Sequence, residues 1–384
     1  MRFEFATATR IIFGQGTIQE VAPLAAKMGH RAFVITGHSV DRAIPLLDQL
    51  KRQGIESVTF TIPSEPTTTM AFTGAQKARE AKADLVIGIG GGSVLDTGKV
   101  VAALLTNSGE IADYLEVIGG GQELANNPAP YIAIPTTAGT GTEVTRNAVL
   151  ISPEHHVKIS MRSPSMLPRV AVVDPALTLS MPPAVTASTG LDAITQLMEA
   201  YVSNRANPLT DGICQEGLKR AARSLPRAYE DASNTAARED MSLASLLGGL
   251  ALANAGLGAV HGFAAPLGGM FSAPHGTICA RLTAHVMEAN VEALQIRAPT
   301  SPALVRYDEV AQILTGSATA RAADGILWMQ DLCVALKVPP LAEFGLKEAD
   351  LPNVVARSKR ASSMKGNPIE LTDRELTEIL KKAL

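Results

Sequence analysis

Through the first 180 positions, short apolar runs that stop on glycine alternate with stretches of helical spacing. The clearest run is Leu85–Ile89, within Asp84-Leu-Val-Ile-Gly-Ile-Gly-Gly-Gly-Ser93. Apolar or small residues bounded by turn formers predict a buried strand. Gly90, Gly91 and Gly92 predict a tight turn, Ser93 a helix start, and Val94–Leu105 the helix. Arg31–Gly37, Ser57–Ile62, Pro130–Pro135 and Val170–Val173 read as further strands, and Arg10–Gly14 as a short strand and turn. Thr17–Met28, Ala43–Gln53 and Thr69–Ala83 carry helical spacing, and Pro63–Thr67 reads as a loop. Strand alternating with helix predicts βαβ units and a mostly parallel sheet.

The pattern changes at Met181-Pro-Pro-Ala184. Beyond it, Ala184–Val202, Thr210–Arg223, Arg238–Leu257, Thr277–Ala293 and Ala322–Leu336 all read as helices. The expectation is an α/β domain over residues 1–180 and an all-α domain over 181–384. Met241–Val260 is long and apolar, and no Lys, Arg, Asp or Glu occurs from Met241 to Ala280. Length alone permits a membrane span. Gly248, Gly249, Gly256 and Gly258 interrupt the run, Asn254 sits inside it, and His261 closes it, so a buried helix or helix pair is expected.

Composition narrows the function classes. The chain has 384 residues, is 46% hydrophobic and 18% charged, and carries a net charge of −3. That excludes disorder and gives no basic surface for nucleic acid or membrane. Cys214, Cys279 and Cys333 are odd in number and lack C-x-x-C spacing. They read as free thiols in a reducing compartment, which points to the cytoplasm. Met-Arg-Phe-Glu-Phe5 has no apolar core of a secretory signal.

Candidate chemistry starts at the glycine turn. A helix N-terminus offers unpaired N–H groups and a favourable dipole to an anion, and glycine lets a phosphate approach. The spacing is not G-x-G-x-x-G, so a ligand-free β–α turn explains the glycines equally well. Pro135-Thr-Thr-Ala-Gly-Thr-Gly-Thr-Glu143 is a loop rich in N–H and O–H donors. His38 either faces a ligand or lies on the loop surface; Lys158 either reaches a ribose or phosphate or is solvated. Asp192 and Gln196 are four apart and share a helix face, with Glu199 nearby. His261 and His275 stand beside glycines at the ends of apolar segments. One Asp and two His form a divalent-metal set in kind, but their separation is too long for a local motif. Asp192 alone reads as a helix-start residue facing the dipole.

Several segments, in order and across nearly the whole chain, resemble the iron-containing (group III) alcohol dehydrogenase family. They are Ile12-Phe-Gly14-x-Gly16, Gly90-Gly-Gly-Ser-Val-Leu-Asp96, Pro135–Glu143, Asp192-Ala-Ile-Thr195, Glu199-Ala-Tyr-Val-Ser203, His261-Gly262 and Pro274-His-Gly276. The resemblance implies a dehydroquinate synthase-like architecture: an N-terminal dinucleotide-binding α/β domain, an all-helical C-terminal domain, and a site in the cleft between them. It implies that Gly90, Gly91, Gly92 and Ser93 hold a pyrophosphate. Asp96, Thr136, Thr137, Thr140 and Lys158 match positions around the nicotinamide cofactor, NAD or NADP. Asp192, His261 and His275 match metal ligands, for Fe²⁺ or Zn²⁺, and are the expected catalytic set. A small alcohol or aldehyde substrate and a homodimer or higher homo-oligomer are implied as well.

Two departures bear on the chemistry. The family's second ligand is a histidine four residues after the aspartate; here it is Gln196. An amide oxygen weakens the set and shifts it towards harder ions, which leaves a metal that is loosely held, different or absent as the expectation. A histidine also follows the third ligand by four residues; here Ala265 removes that proton relay. The family's Pro-Asn-Pro-Thr loop reads Ser64-Glu65-Pro66-Thr67. Gly37 stands where a carboxylate would repel a 2′-phosphate, so NADP(H) is expected to be accepted. The expected activity is NAD(P)-dependent alcohol dehydrogenase or aldehyde/ketone reductase. Its rivals are a maleylacetate-type oxo-acid reductase using Arg146 or Arg162, a dehydroquinate-synthase-like lyase, and a non-catalytic nucleotide-binding relative.

Overall fold

A computed structural model describes residues 2–384 apart from 117 and 156. Its strands are β1 (Arg10–Phe13), β2 (Arg31–Thr36), β3 (Glu56–Thr61), β4 (Leu85–Gly90), β5 (Tyr131–Pro135), β6 (Asn147–Ser152), β7 (Val157–Arg162) and β8 (Val170–Val173). The helices of the first half are α1 (Val21–Ala25), α2 (Ile44–Arg52), α3 (Thr68–Glu80), α4 (Gly92–Thr106) and α5 (Ile111–Tyr114). Those of the second are α6 (Pro183–Val202), α7 (Pro208–Glu230), α8 (Thr235–Ala255), α9 (Ala259–Met270), α10 (His275–Arg297), α11 (Pro302–Thr315), α12 (Ala322–Ala335), α13 (Leu351–Ser358) and α14 (Asp373–Ala383). The chain divides into two compact units. One holds Ala6–Thr137 and Gly141–Leu179; the other holds Ser180–Leu384, Ala138–Thr140 and a short N-terminal stretch.

In the α/β unit, six parallel strands pair in the order β1-β8-β5-β4-β2-β3. Every residue of β4 is buried, as a strand covered on both faces requires. Val34, Ile87 and Ile132 point to the face packed by Val21 of α1 and by Leu46 and Leu50 of α2. Phe33, Ile35, Val86 and Ala133 point to the other face, against Ala78 of α3 and Val94 and Leu95 of α4. From β2 the chain runs outward to β3, then returns past β2 to β4 and continues to β5. The strand order therefore reverses between β2 and β4, where open α/β sheets bind ligands.

The glycine turn is tighter than the spacing predicts. Gly90 still belongs to β4 and Gly92 already opens α4, leaving Gly91 as the turn. None of the three has a positive φ. Space is the constraint instead: a Cβ on Gly90 would lie 2.5 Å from Val94 Cγ2.

Thr17–Met28 is only partly helical, a 3₁₀ turn over Thr17–Glu20 leading into the short α1. An antiparallel hairpin, β6–β7, appears where the sequence reading placed no strand. Each strand alternates along its length, and Ala148, Leu150, Ile159 and Met161 pack with Ala71, Ala75, Val100 and Leu104 of α3 and α4. A buried polar network ties this hairpin to α4. Lys99 Nζ donates to Thr142 Oγ1 at 2.7 Å, Thr145 Oγ1 at 2.8 Å and the Asn147 carbonyl at 2.7 Å. Asp96 Oδ1 accepts from Thr142 Oγ1, and Oδ2 accepts from the Val149 N–H at 3.0 Å. Burial lowers the Lys99 ammonium against the pull of Asp96, and raises the adjacent Glu143 carboxyl to about 7.

In the helical unit, α6 is buried along most of its length and packs with α7, α8 and α10. Its apolar side is shared by Leu191, Ile194, Leu197, Leu218, Leu225, Met241 and Met287. The charge-free run becomes the end of α8, all of α9 and the start of α10. Helices α8 and α9 are bent by 100° across residues 256–258, where Gly256 has φ 70°. Among the described residues, no single helix is long and apolar enough to cross a membrane, although this bent pair passes on length and composition together. The pair α8 and α9 answers the expected helix pair, although the sequence set no bounds for α9, nor for α11, α13 and α14. The last two pack Val354, Ile379 and Leu380 into a second core with Phe263 and Leu282.

Gly98 faces the buried Tyr131 ring, whose hydroxyl donates to the Leu95 carbonyl at 3.0 Å. A Cβ on Gly98 would lie 2.5 Å from that hydroxyl and 2.6 Å from the ring. Gly98→Ala is expected to cost about 1–3 kcal/mol through overpacking. Urea unfolding should show a lower midpoint at unchanged slope; an unchanged midpoint would contradict this packing.

Candidate active site

The sheet register brings several expected residues to one edge of the α/β unit. Thr36 pairs with Ile89 and Gly90 with Pro135, so Gly37, Gly91 and Thr136 leave the sheet at the same level. The Thr136 N–H donates to the Gly90 carbonyl at 2.9 Å. Thr137 stands beside the turn, 3.3 Å from where a Cβ on Gly91 would sit. The N-terminus of α4 carries no side-chain cap, so Gly92 and Ser93 present it to a ligand as bare backbone. That surface fits a pyrophosphate by helix dipole and N–H donors. His38 is exposed in the loop after Gly37.

Three other expected residues are differently engaged. Asp96 has both carboxylate oxygens engaged in the hairpin network. Lys158 lies on β7, with Nζ 2.6 Å from Glu65 Oε2 and only 7% of the side chain exposed. It is neither a solvated lysine nor an open cation. Thr140 belongs with the helical unit, where neighbouring Gly139 packs on Thr189.

The helical unit gathers the expected metal set. Asp192 is not a helix-start residue: it lies in the middle of α6, and its side chain is 2% exposed. Asp192 Oδ1 is 3.4 Å from His261 Nε2 and 3.7 Å from His275 Nε2. His261 is the third residue of α9 and His275 the first of α10. Both reach the same oxygen because the bend before α9 and the Pro274 turn deliver two helix starts to α6. Glu199, seven residues after Asp192 on α6, accepts from the Val260 N–H through Oε1 at 2.7 Å. Its Oε2 lies 2.6 Å from His261 Nδ1. With the proton on Nδ1, Nε2 keeps a lone pair for the cluster.

Cys279 joins this group. Its Sγ is 3.8 Å from His261 Nε2 and 3.7 Å from His275 Nε2. The ligand atoms of Asp192, His261, His275 and Cys279 all lie within 4.8 Å of one another. The sequence reading treated Cys279 only as a free thiol. The available signal was its spacing, four residues after His275, which places both on one face of α10. Gln196 takes a different part. Its Nε2 donates to Asp192 Oδ2 at 3.0 Å, while its oxygen turns towards α8, 3.2 Å from where a Cβ on Gly248 would sit.

The donor set fits a divalent cation. Asp192 Oδ1 is buried and has no hydrogen-bond partner, and a lone buried acceptor is costly. Burial raises the Asp192 carboxyl, but His275 and His261 outweigh it and hold the group below the usual carboxylate range. Burial likewise lowers the His261 imidazole, and Cys279, Asp192 and Glu199 reverse this and hold it well above its ordinary value. Burial raises the Cys279 thiol to about 12 against the pull of His261. An ionised acid beside imidazoles and a thiol is a donor set that can exchange those protons for a metal.

Known proteins with this architecture include characterised enzymes. Residues 8–175 match the family model for iron-containing alcohol dehydrogenase, and residues 186–384 match the C-terminal model of that family. Alcohol dehydrogenase 4 of Saccharomyces cerevisiae is 33% identical over 377 residues, covering 97% of this chain and 96% of that protein. A solved 1,3-propanediol oxidoreductase superposes with TM-score 0.92 at 32% identity, covering 100% of both chains. A sulfoacetaldehyde reductase of Bifidobacterium kashiwanohense, solved with NAD⁺, gives TM-score 0.87 at 28% identity, covering 100% of this chain and 99% of that one. The chain belongs to the iron-containing alcohol dehydrogenase family.

Proposed function

We propose that this protein is an NAD(P)-dependent oxidoreductase that interconverts a small alcohol and its aldehyde or ketone. The observation that carries the reading is the convergence of His261 and His275 on one buried oxygen of Asp192, in a chain of this family. Residues 1–180 are assigned to the dinucleotide and 181–384 to metal and substrate. A divalent ion supplies Lewis acidity towards the alcohol or carbonyl oxygen, and a nicotinamide supplies the hydride acceptor or donor. The side chains do the rest. Asp192 contributes the buried negative charge, Glu199 fixes the His261 tautomer, and the uncapped start of α4 binds pyrophosphate. Ala265 has no proton to give, so the alcohol proton passes through water, a ribose hydroxyl or another side chain. The oxo-acid alternative gains nothing from Arg162, whose Nε is 3.2 Å from Glu116 Oε1.

Purified protein should oxidise NADH or NADPH with short aldehydes when Fe²⁺, Zn²⁺ or Mn²⁺ is supplied, and should lose that activity to a chelator. His261→Ala should lower bound metal and reduce kcat by about 100-fold or more, a few kcal/mol of transition-state stabilisation. No turnover with any aldehyde or oxo-acid under any metal would sink the reading.

Cofactor choice is proposed to include NADPH because position 37 carries no carboxylate. A side chain fits there, since a Cβ on Gly37 meets only Val94 Cγ2, at 3.8 Å. Gly37→Asp should fold normally and cut kcat/KM for NADPH about tenfold or more relative to NADH, through repulsion of the 2′-phosphate. An unchanged ratio argues against Gly37 as the discriminating position.

A homo-oligomer is also proposed. The outer strands β1 and β3 each pair on one side only among the described residues, and Val58 of β3 is 48% exposed. Light scattering at assay concentration should give a dimer mass or larger, and a monomer rejects the idea.

A further inference from the structure

We propose that Cys279, as a thiolate, is the fourth protein ligand of the metal, beside Asp192 Oδ1, His261 Nε2 and His275 Nε2. Gln196 stays outside the coordination shell and positions Asp192. The inference rests on the metal-assisted reading above and concerns which atoms hold the ion and which ion they favour.

Geometry supports the exchange of roles. Metal–ligand bonds of ordinary zinc length set tetrahedral edges of about 3.3 Å between N and O and about 3.6 Å between N and S. The N–O edges here are 3.4 and 3.7 Å, and the N–S edges are 3.8 and 3.7 Å. These four edges are close to those of a tetrahedral site, and all four ligand atoms lie within 4.8 Å of one another. Cys279 is fully buried, and its thiol contacts lie within the cluster, to the two histidines and to Asp192. The Asp192 oxygen facing it is a buried acceptor without a partner, as is Gln196 Oε1, which points away towards α8.

Gln196 is arranged for the other role. Its N–H₂ group, which cannot ligate, faces Asp192 Oδ2. That bond occupies the carboxylate oxygen not used by the histidines and leaves Oδ1 free to bind the ion. A glutamine ligand would have to turn its amide over and lose the bond that holds Asp192 in place. Supporting partners of this kind orient ligands without touching the ion.

The consequence for metal choice opposes the one drawn from Gln196 alone. A thiolate is a soft donor and moves preference towards Zn²⁺ and away from Mn²⁺ or Mg²⁺. Loading is balanced by loss of the thiol proton to solvent as the sulfur–metal bond forms. An ion held by these four residues would supply Lewis acidity to a substrate oxygen.

The test uses the full-length protein loaded with Zn²⁺ or Co²⁺. X-ray absorption of the zinc form should show one sulfur scatterer at about 2.3 Å among nitrogen and oxygen neighbours. The cobalt form should show a sulfur-to-metal charge-transfer band that disappears in Cys279→Ser and persists in Gln196→Ala. Zn²⁺ affinity should fall about 100-fold or more in Cys279→Ser, at or beyond the upper end for loss of an outer partner, and less in Gln196→Ala. Selectivity for Zn²⁺ over Mn²⁺ should narrow only in Cys279→Ser. An all-nitrogen-and-oxygen shell in the unaltered zinc form overturns this assignment and leaves the dehydrogenase reading standing. Failure to bind either ion at one per chain, together with no NAD(P)H turnover, overturns both.

Discussion

A carboxylate buried in a helix interior is the constraint on which the candidate site depends. Asp192 has almost no contact with solvent, so its charge must be met by protein groups or by an ion. Everything around it answers that requirement. Gln196 takes one oxygen, two histidines approach the other, and Glu199 orients one of those histidines. The helix ends obey the same demand: α9 and α10 begin where they do because their first residues must reach α6. The 100° bend after α8 thus shapes the candidate site as well as the packing.

The α/β unit solves a different problem by backbone alone. Its ligand edge is built from glycine and threonine at the strand ends, with a helix start left open. No titratable side chain is needed to make that edge attractive to an anion. Of the charged residues nearby, Asp96 and Lys99 fasten the hairpin and the loop after β5, and Glu143 is buried within reach of the Lys99 charge. Lys158 is likewise committed, to Glu65.

The sequence made the sheet largely legible because its strands are short, apolar on both faces and punctuated by glycine. Leu85–Gly90 and Arg31–Thr36 could be placed from local pattern alone. The β6–β7 hairpin escaped because outward positions such as Val149 and Ile151 are apolar too, which hides the alternation in the sequence, and because its buried face covers α3 and α4 rather than the main sheet. In the helical half, Asp192, His261 and His275 could be singled out by residue type. Their meeting point depends on how α6, α9 and α10 cross, which spacing does not encode. Cys279 is the instructive case: its four-residue offset from His275 was visible, but its relevance came only with a carboxylate from a distant helix. Gln196 shows the reverse, since its position suggested a ligand and only the direction of its amide separates a ligand from a support.

Glu199 has two acceptor oxygens and uses each on a different N–H, one from the backbone of Val260 and one from the ring of His261. An amide of the same shape has one acceptor and one donor. Glutamine at this position would keep the backbone bond only by turning its N–H₂ towards the imidazole. The ring proton would then have to move from Nδ1 to Nε2, the nitrogen that faces the cluster. A change of a single atom, with no change in volume, would thereby block one corner of the site while leaving the fold around it intact. The identity of this buried acid is thus fixed by proton placement, and size or shape alone would not select it.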